Sequence, residues 1–143
     1  VTGLLVVGCG KGNQTANEKP KATPGNNSTG KSVKELTPEE KRALRDSVVG
    51  EYEMKDEDGY TIKEVFVDNG MQEEYINNEK QGEKKWSMSK DGELHVVHGN
   101  KMVMVYRINP DNRITRIGYI DEDRKRTDYI KRYQNFYTYK KIK

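Results

Sequence analysis

Two glycine-rich spacings in this chain have the residue types to hold a phosphate. Gly8, Gly10 and Gly12 follow the apolar run Leu4–Val7 and give G-x-G-x-G where a buried strand could feed a dinucleotide loop. Further on, Gly25-Asn26-Asn27-Ser28-Thr29-Gly30-Lys31-Ser32 matches G-x-x-x-x-G-K-[ST] letter for letter. That chemistry needs a strand to deliver the loop and a helix to begin at the lysine, so that backbone amides surround the phosphates. Neither stretch has both. The first lacks a glycine three residues after the second one, where Asn13 stands, and Pro20 and Pro24 forbid a following helix. The second is preceded by Glu18–Pro24, which cannot be a buried parallel strand, and the next helix signal waits until Thr37. Both are read as chance matches in a tract of Gly, Asn, Lys, Thr and Pro.

Other candidate chemistry is sparse. His95 and His98 are the only histidines, and three apart in a strand they fall on opposite faces, so they do not chelate one metal together. The acidic turns Asp56–Gly59 and Asp121–Asp123 complete no calcium loop, and G-x-S-x-G is absent. No cofactor and no metal site is implied, and the chain is expected not to be an enzyme. Cys9 is the single cysteine, which excludes an internal disulfide and a zinc site of several cysteines. The set most suited to a partner is C-terminal. Arg113, Arg116, Arg124, Lys125, Arg126, Lys131 and Arg132 interleave with Tyr119, Tyr129, Tyr133 and Tyr137, a pattern that suits a polyanion. The competing reading is a solvated outer face with the tyrosines packed inward.

The elements that must carry these residues follow from patterning. Of the 143 residues, 32% are hydrophobic and 34% charged, so any core is thin, and the nine tyrosines must supply much of its volume. Charge is unevenly spread: residues 37–100 carry nine basic and sixteen acidic side chains, residues 101–143 twelve and five. Thr37-Pro38-Glu39-Glu40 is a helix start, with Thr as cap, Pro at the first position and Glu three after the cap. A helix of roughly ten residues is expected to end at Gly50. From Glu51 the hydrophobic period becomes two and turn clusters recur every eight to twelve residues. This predicts a mainly β domain, an antiparallel meander of eight or nine strands closing as a small barrel or a sandwich. Met102–Ile108, apolar on both faces, is expected to be central.

Val6-Val7-Gly8-Cys9, following Leu4-Leu5, resembles the lipobox of bacterial lipoproteins. The resemblance implies cleavage before Cys9, acylation of Cys9, and anchorage of the protein to a membrane by more than one acyl chain. With Val at position 1, the chain is expected to start inside a longer gene product. Residues 1–8 are then a signal remnant, 9–36 the lipidated cysteine and a disordered tether, and 37–143 the folded domain. As a coil, residues 10–36 reach about 25–30 Å. The order of lipobox, tether, short helix and Val49-Gly50-Glu51-Tyr52 is similar to lipocalin-like domains of bacterial lipoproteins, whose first strand carries Gly-x-Trp/Tyr. The resemblance implies a barrel and is silent on its ligand.

The expectation is therefore a lipoprotein of the bacterial cell envelope, at the outer membrane or periplasmic face, whose domain is a non-catalytic binding or envelope-interaction module. Its partners would be the membrane through Cys9, an anionic lipid or polysaccharide, and an unidentified small ligand or protein. The alternative is an intracellular β domain binding nucleic acid through its basic C-terminal half. An exported chain disfavours that reading.

Overall fold

The computed structural model describes residues 34–143. Cys9, the signal remnant and most of the tether lie outside the described residues. Helix α1 spans Pro38–Val48 and is capped as its sequence requires. The Glu40 amide donates to Thr37 Oγ1 at 3.2 Å, and the Thr37 amide donates back to Glu40 Oε2 at 2.7 Å. Val49 rather than Gly50 ends the helix. Gly50, at φ +143°, already opens the first strand.

Nine strands follow: β1 Gly50–Lys55, β2 Thr61–Phe66, β3 Met71–Ile76, β4 Glu79–Met88, β5 Leu94–Val97, β6 Val103–Ile108, β7 Arg113–Ile120, β8 Arg126–Asp128 and β9 Thr138–Lys141. A second helix, α2, spans Lys131–Phe136 between β8 and β9. The first seven strands form an antiparallel meander, and β9 bridges β1 to β7. Since β6 also pairs with β7, eight strands close into a barrel, with β8 as an extra strand on β7. Closure, rather than a sandwich, removes the sheet edges. The turns are those the residues favour. Asn77 and Asn78 both take positive φ, 49° and 69°, which a two-residue hairpin requires.

One end of the barrel is covered by α1. Val48 is buried with Tyr52, Phe66, Trp86 and Leu94, and the rings of Tyr52, Phe66 and Trp86 meet edge to face at 5.7 and 5.8 Å. Arg45 lies over the Trp86 ring at 5.3 Å and donates to the Asp68 carbonyl at 2.8 Å, so the helix rests on the β2–β3 turn. Leu36 and Leu44 sit where a side chain at Gly92 would have to go, so the helix also covers the β4–β5 turn. Lys141 of β9 donates to the carbonyls of Ser47 and Val49, each at 2.8 Å, placing a cation where the helix carbonyls lack partners.

Two expectations change. A closed barrel has no centre: β6 is doubly paired like its neighbours, and its outer-face Val105 is nevertheless fully buried. Strand alternation also fails over Lys131–Phe136, which coils into α2 and leaves Tyr133 and Phe136 exposed. The Tyr129 amide donates to the Ile117 carbonyl at 2.7 Å and the Arg116 amide to the Tyr137 carbonyl at 2.9 Å, so β8 and β9 follow one edge of β7 and α2 is looped out between them.

The packing of β8 on β7 depends on a missing side chain. A Cβ at Gly118 would run into the Thr127 carbonyl and lie 3.0 Å from Asp128 Cα. Gly118→Ala is expected to cost about 1–3 kcal/mol by overpacking, seen as a lower urea midpoint.

Candidate functional site

The inward phase of β2 reads Ile62, Glu64, Phe66, so a carboxylate occupies a place the alternation reserves for an apolar residue. Register sets Tyr52 and Glu74 beside Glu64, and Lys84 opposite Gln72, all on the inner face. Glu64 is 1% exposed. Its Oε1 accepts from Tyr106 Oη at 3.0 Å and from Arg116 Nη2 at 3.5 Å. Arg116 also donates to the hydroxyls of Tyr106 and Tyr139, at 3.1 and 3.3 Å. Its guanidinium stands over the rings of Tyr106 and Tyr137, at 5.4 and 5.2 Å. Nearby, Lys84 pairs with Glu74. Glu64 Oε2 and Gln72 Oε1 are buried without a hydrogen-bond partner among the described residues.

Burial pushes the Glu64 carboxyl above its usual range, against the opposing pull of Arg116 and the Tyr106 and Tyr139 hydroxyls. Burial likewise raises both tyrosines. His98, just past β5, is lowered to about 4 by burial and then by the positive charges of Lys84 and Arg116. These groups form a polar layer across a barrel whose middle is occupied by side chains, with Tyr52, Tyr106, Tyr139, Glu64 and Gln72 all fully buried.

The basic residues singled out from sequence are therefore not one surface. Arg116 is a correction: its charge is used inside the barrel, because β7 turns it to the same face as its partner Tyr106. Arg126 donates to both Glu93 carboxylate oxygens, at 2.7 and 2.9 Å, and to Asp128 at 2.7 Å. Arg113 is held by Asp111 at 2.6 Å. Arg124, Lys125, Lys131 and Arg132 are exposed, with no ion pair among the described residues. Arg124 and Lys125 lie in the turn before β8, whereas Lys131 and Arg132 open α2.

What the fold does bring together lies on the two sides of α2. One cleft, of 690 Å³, combines Arg107, Arg113 and Lys131 with Asp111 and Asn135. The other, of 670 Å³, runs between the β1–β2 turn and α2, lined by Met54, Asp56, Arg132, Tyr133, Phe136 and Tyr137. Both volumes fall within the range of about 300–1,000 Å³ common for small-molecule sites. Arg107 could be placed on the outer face of its strand from alternation alone. Its meeting with Lys131 could not, because α2 interrupts the pattern. Among the described residues no three His, Cys, Asp or Glu side chains gather as a metal site, and no helix is long and apolar enough to cross a membrane.

No protein-family model matches the chain, and neither a curated protein nor a solved structure matches it.

Two outcomes test the polar layer. Arg116→Leu leaves Glu64 buried without its cation and is expected to destabilise the barrel by about 3–5 kcal/mol, measured by urea denaturation. For His98, a lowered folded pKa means its stability is present above pH 6.5 and lost as pH falls toward about 4. Glu64, raised by burial, opposes this by gaining stability on acidification. His98→Gln should therefore show less loss of thermal midpoint between pH 6.5 and about 4 than the parent chain.

Proposed function

We propose that this chain is a bacterial lipoprotein, anchored at the cell envelope through acylated Cys9, whose small β-barrel is a non-catalytic binding or envelope-interaction module. The anchor reading is supported by Val6-Val7-Gly8-Cys9 and the polar tract that follows it. The binding reading is supported by one observation above the others. Polar and aromatic side chains fill the middle of the barrel, while a 690 Å³ cleft outside it gathers three cationic residues around a single acid. A filled barrel directs recognition to its outer surface, and a cleft of that charge favours anionic groups of the envelope.

Intact mass of the protein taken from the membrane fraction of its host tests the anchor. The expected species begins at Cys9 and carries acyl chains, and Cys9→Ser should move the protein to the soluble fraction. A soluble parent chain that retains residues 1–8 with an unmodified Cys9 thiol would overturn the reading.

A further inference from the structure

The arginines on the strands divide by what holds them. Arg113, Arg116 and Arg126 are each paired with a carboxylate. Arg107, on β6, is held only by neutral oxygens. Its Nε donates to Asn109 Oδ1 at 3.1 Å and its Nη1 to Gln134 Oε1 at 3.4 Å. It has no ion-pair partner among the described residues. The side chain is positioned while its charge stays uncancelled.

The two amides that hold Arg107 are themselves fixed by a closed ring of hydrogen bonds. Thr138 Oγ1 donates to the Gln134 carbonyl at 3.0 Å, which uses its only proton. Thr115 must then donate to Thr138 across their 2.9 Å contact. Asn109 Nδ2 donates to Thr115 Oγ1 at 2.9 Å, and this turns Oδ1 toward Arg107. On the other side Gln134 Nε2 donates to the Tyr129 carbonyl at 2.8 Å, which turns Oε1 toward Arg107. Thr115, 3% exposed, seats the ring against the barrel wall. Each polar atom of these side chains already has a partner, and the two amide oxygens are both spent on Arg107, so the ring positions the guanidinium. The donors left to meet a ligand are the remaining N–H bonds of Arg107, the second amide N–H of Asn109 and of Gln134, the Lys131 ammonium and the N–H bonds of the Asn135 side chain. Among the described residues the only acid lining the cleft, Asp111, is engaged by Arg113.

We propose that this cleft beside α2 is an oxyanion-binding site, with Arg107 as the anchoring residue, for a carboxylate or phosphate borne by an acidic sugar or a phosphate ester. With Nε and Nη1 held by the two amides, the guanidinium plane is fixed in advance and its unengaged Nη2 is left to donate to such a group, while Lys131 adds a point charge at the rim. The proposal rests on the binding-module reading and names the ligand class of that module.

Titration calorimetry of the chain with glucuronate and, separately, with inorganic phosphate tests it, the two arms distinguishing the carboxylate source from the phosphate source. Saturable one-to-one binding of at least one of them is expected, weakened at least tenfold by Arg107→Gln. Asn109→Asp is the sharper variant, because it keeps Arg107 and places a carboxylate against it. Binding should fall as far, with the fold verified by circular dichroism. Arg132→Gln, in the other cleft, should bind as the parent does. Absence of binding in both arms, or affinity unchanged by the two cleft variants, would each overturn the proposal. Because the assay is independent of Cys9, an unlipidated chain that binds loses only the anchor reading. A lipidated chain that binds neither probe loses only this one.

Discussion

A carboxylate that cannot reach water makes demands on every strand around it. Glu64 on β2 is met by an arginine 52 residues away on β7 and a tyrosine 42 residues away on β6, while Tyr139 on β9 supports the arginine. Leaving either charge alone in the interior would cost several kcal/mol, so the pair is tolerable only when all four strands stand around one axis. A one-residue slip of β2 would turn Glu64 outward and bring Lys63 and Val65 inside. The polar layer thus ties the register of the barrel to a contact that forms only when the barrel is closed.

The same layer explains how so polar a chain closes a barrel. Tyr52, Tyr106 and Tyr139 are each fully buried, supplying the volume of an aromatic ring, and the hydroxyls of Tyr106 and Tyr139 carry the hydrogen bonds that Glu64 and Arg116 need. Toward the α1 end the layer gives way to Phe66, Trp86, Leu94 and Val48, where apolar contact takes over. Closure itself falls to β9, a strand of four residues that pairs with both β1 and β7. Along the edge of β7 that β8 and β9 share, the chain loops out as α2 between Tyr129 and Tyr137, and the two clefts flank that helix. The outer surface most able to recognise a ligand therefore lies where that edge of the barrel is interrupted.

Much of this architecture was legible in local chemistry. Thr37, Pro38 and Glu40 announce α1, and the recurrent Gly, Asn and Asp turns mark nearly every hairpin, because caps and turns are decided by a few neighbouring residues. The site was less legible. Arg113 and Arg116, three apart in one strand, fall on opposite faces by alternation, but local pattern does not say which of them is turned into the barrel and which outward onto Asp111. An irregularity between Val105 and Tyr106 in the β6–β7 register sets Tyr106 against Arg116, and a bulge of this kind leaves no distinct trace in the sequence. The helix Lys131–Phe136 has neither a side-chain cap nor acids in its first turn, so no start signal distinguishes it from another strand.

From the sequence alone came the mainly β class, the eight-to-nine strand count, and the leading helix with its cap. Each rests on contacts between residues close in the chain, where periodicity and turn chemistry suffice. Tertiary structure alone decided that the meander closes as a barrel, that Glu64 and Arg116 share its interior, and that Arg107 is held without a counter-charge between β6 and α2. Those outcomes depend on which distant strands become neighbours, and pairing of that kind is set by the burial of the whole domain rather than by any local pattern.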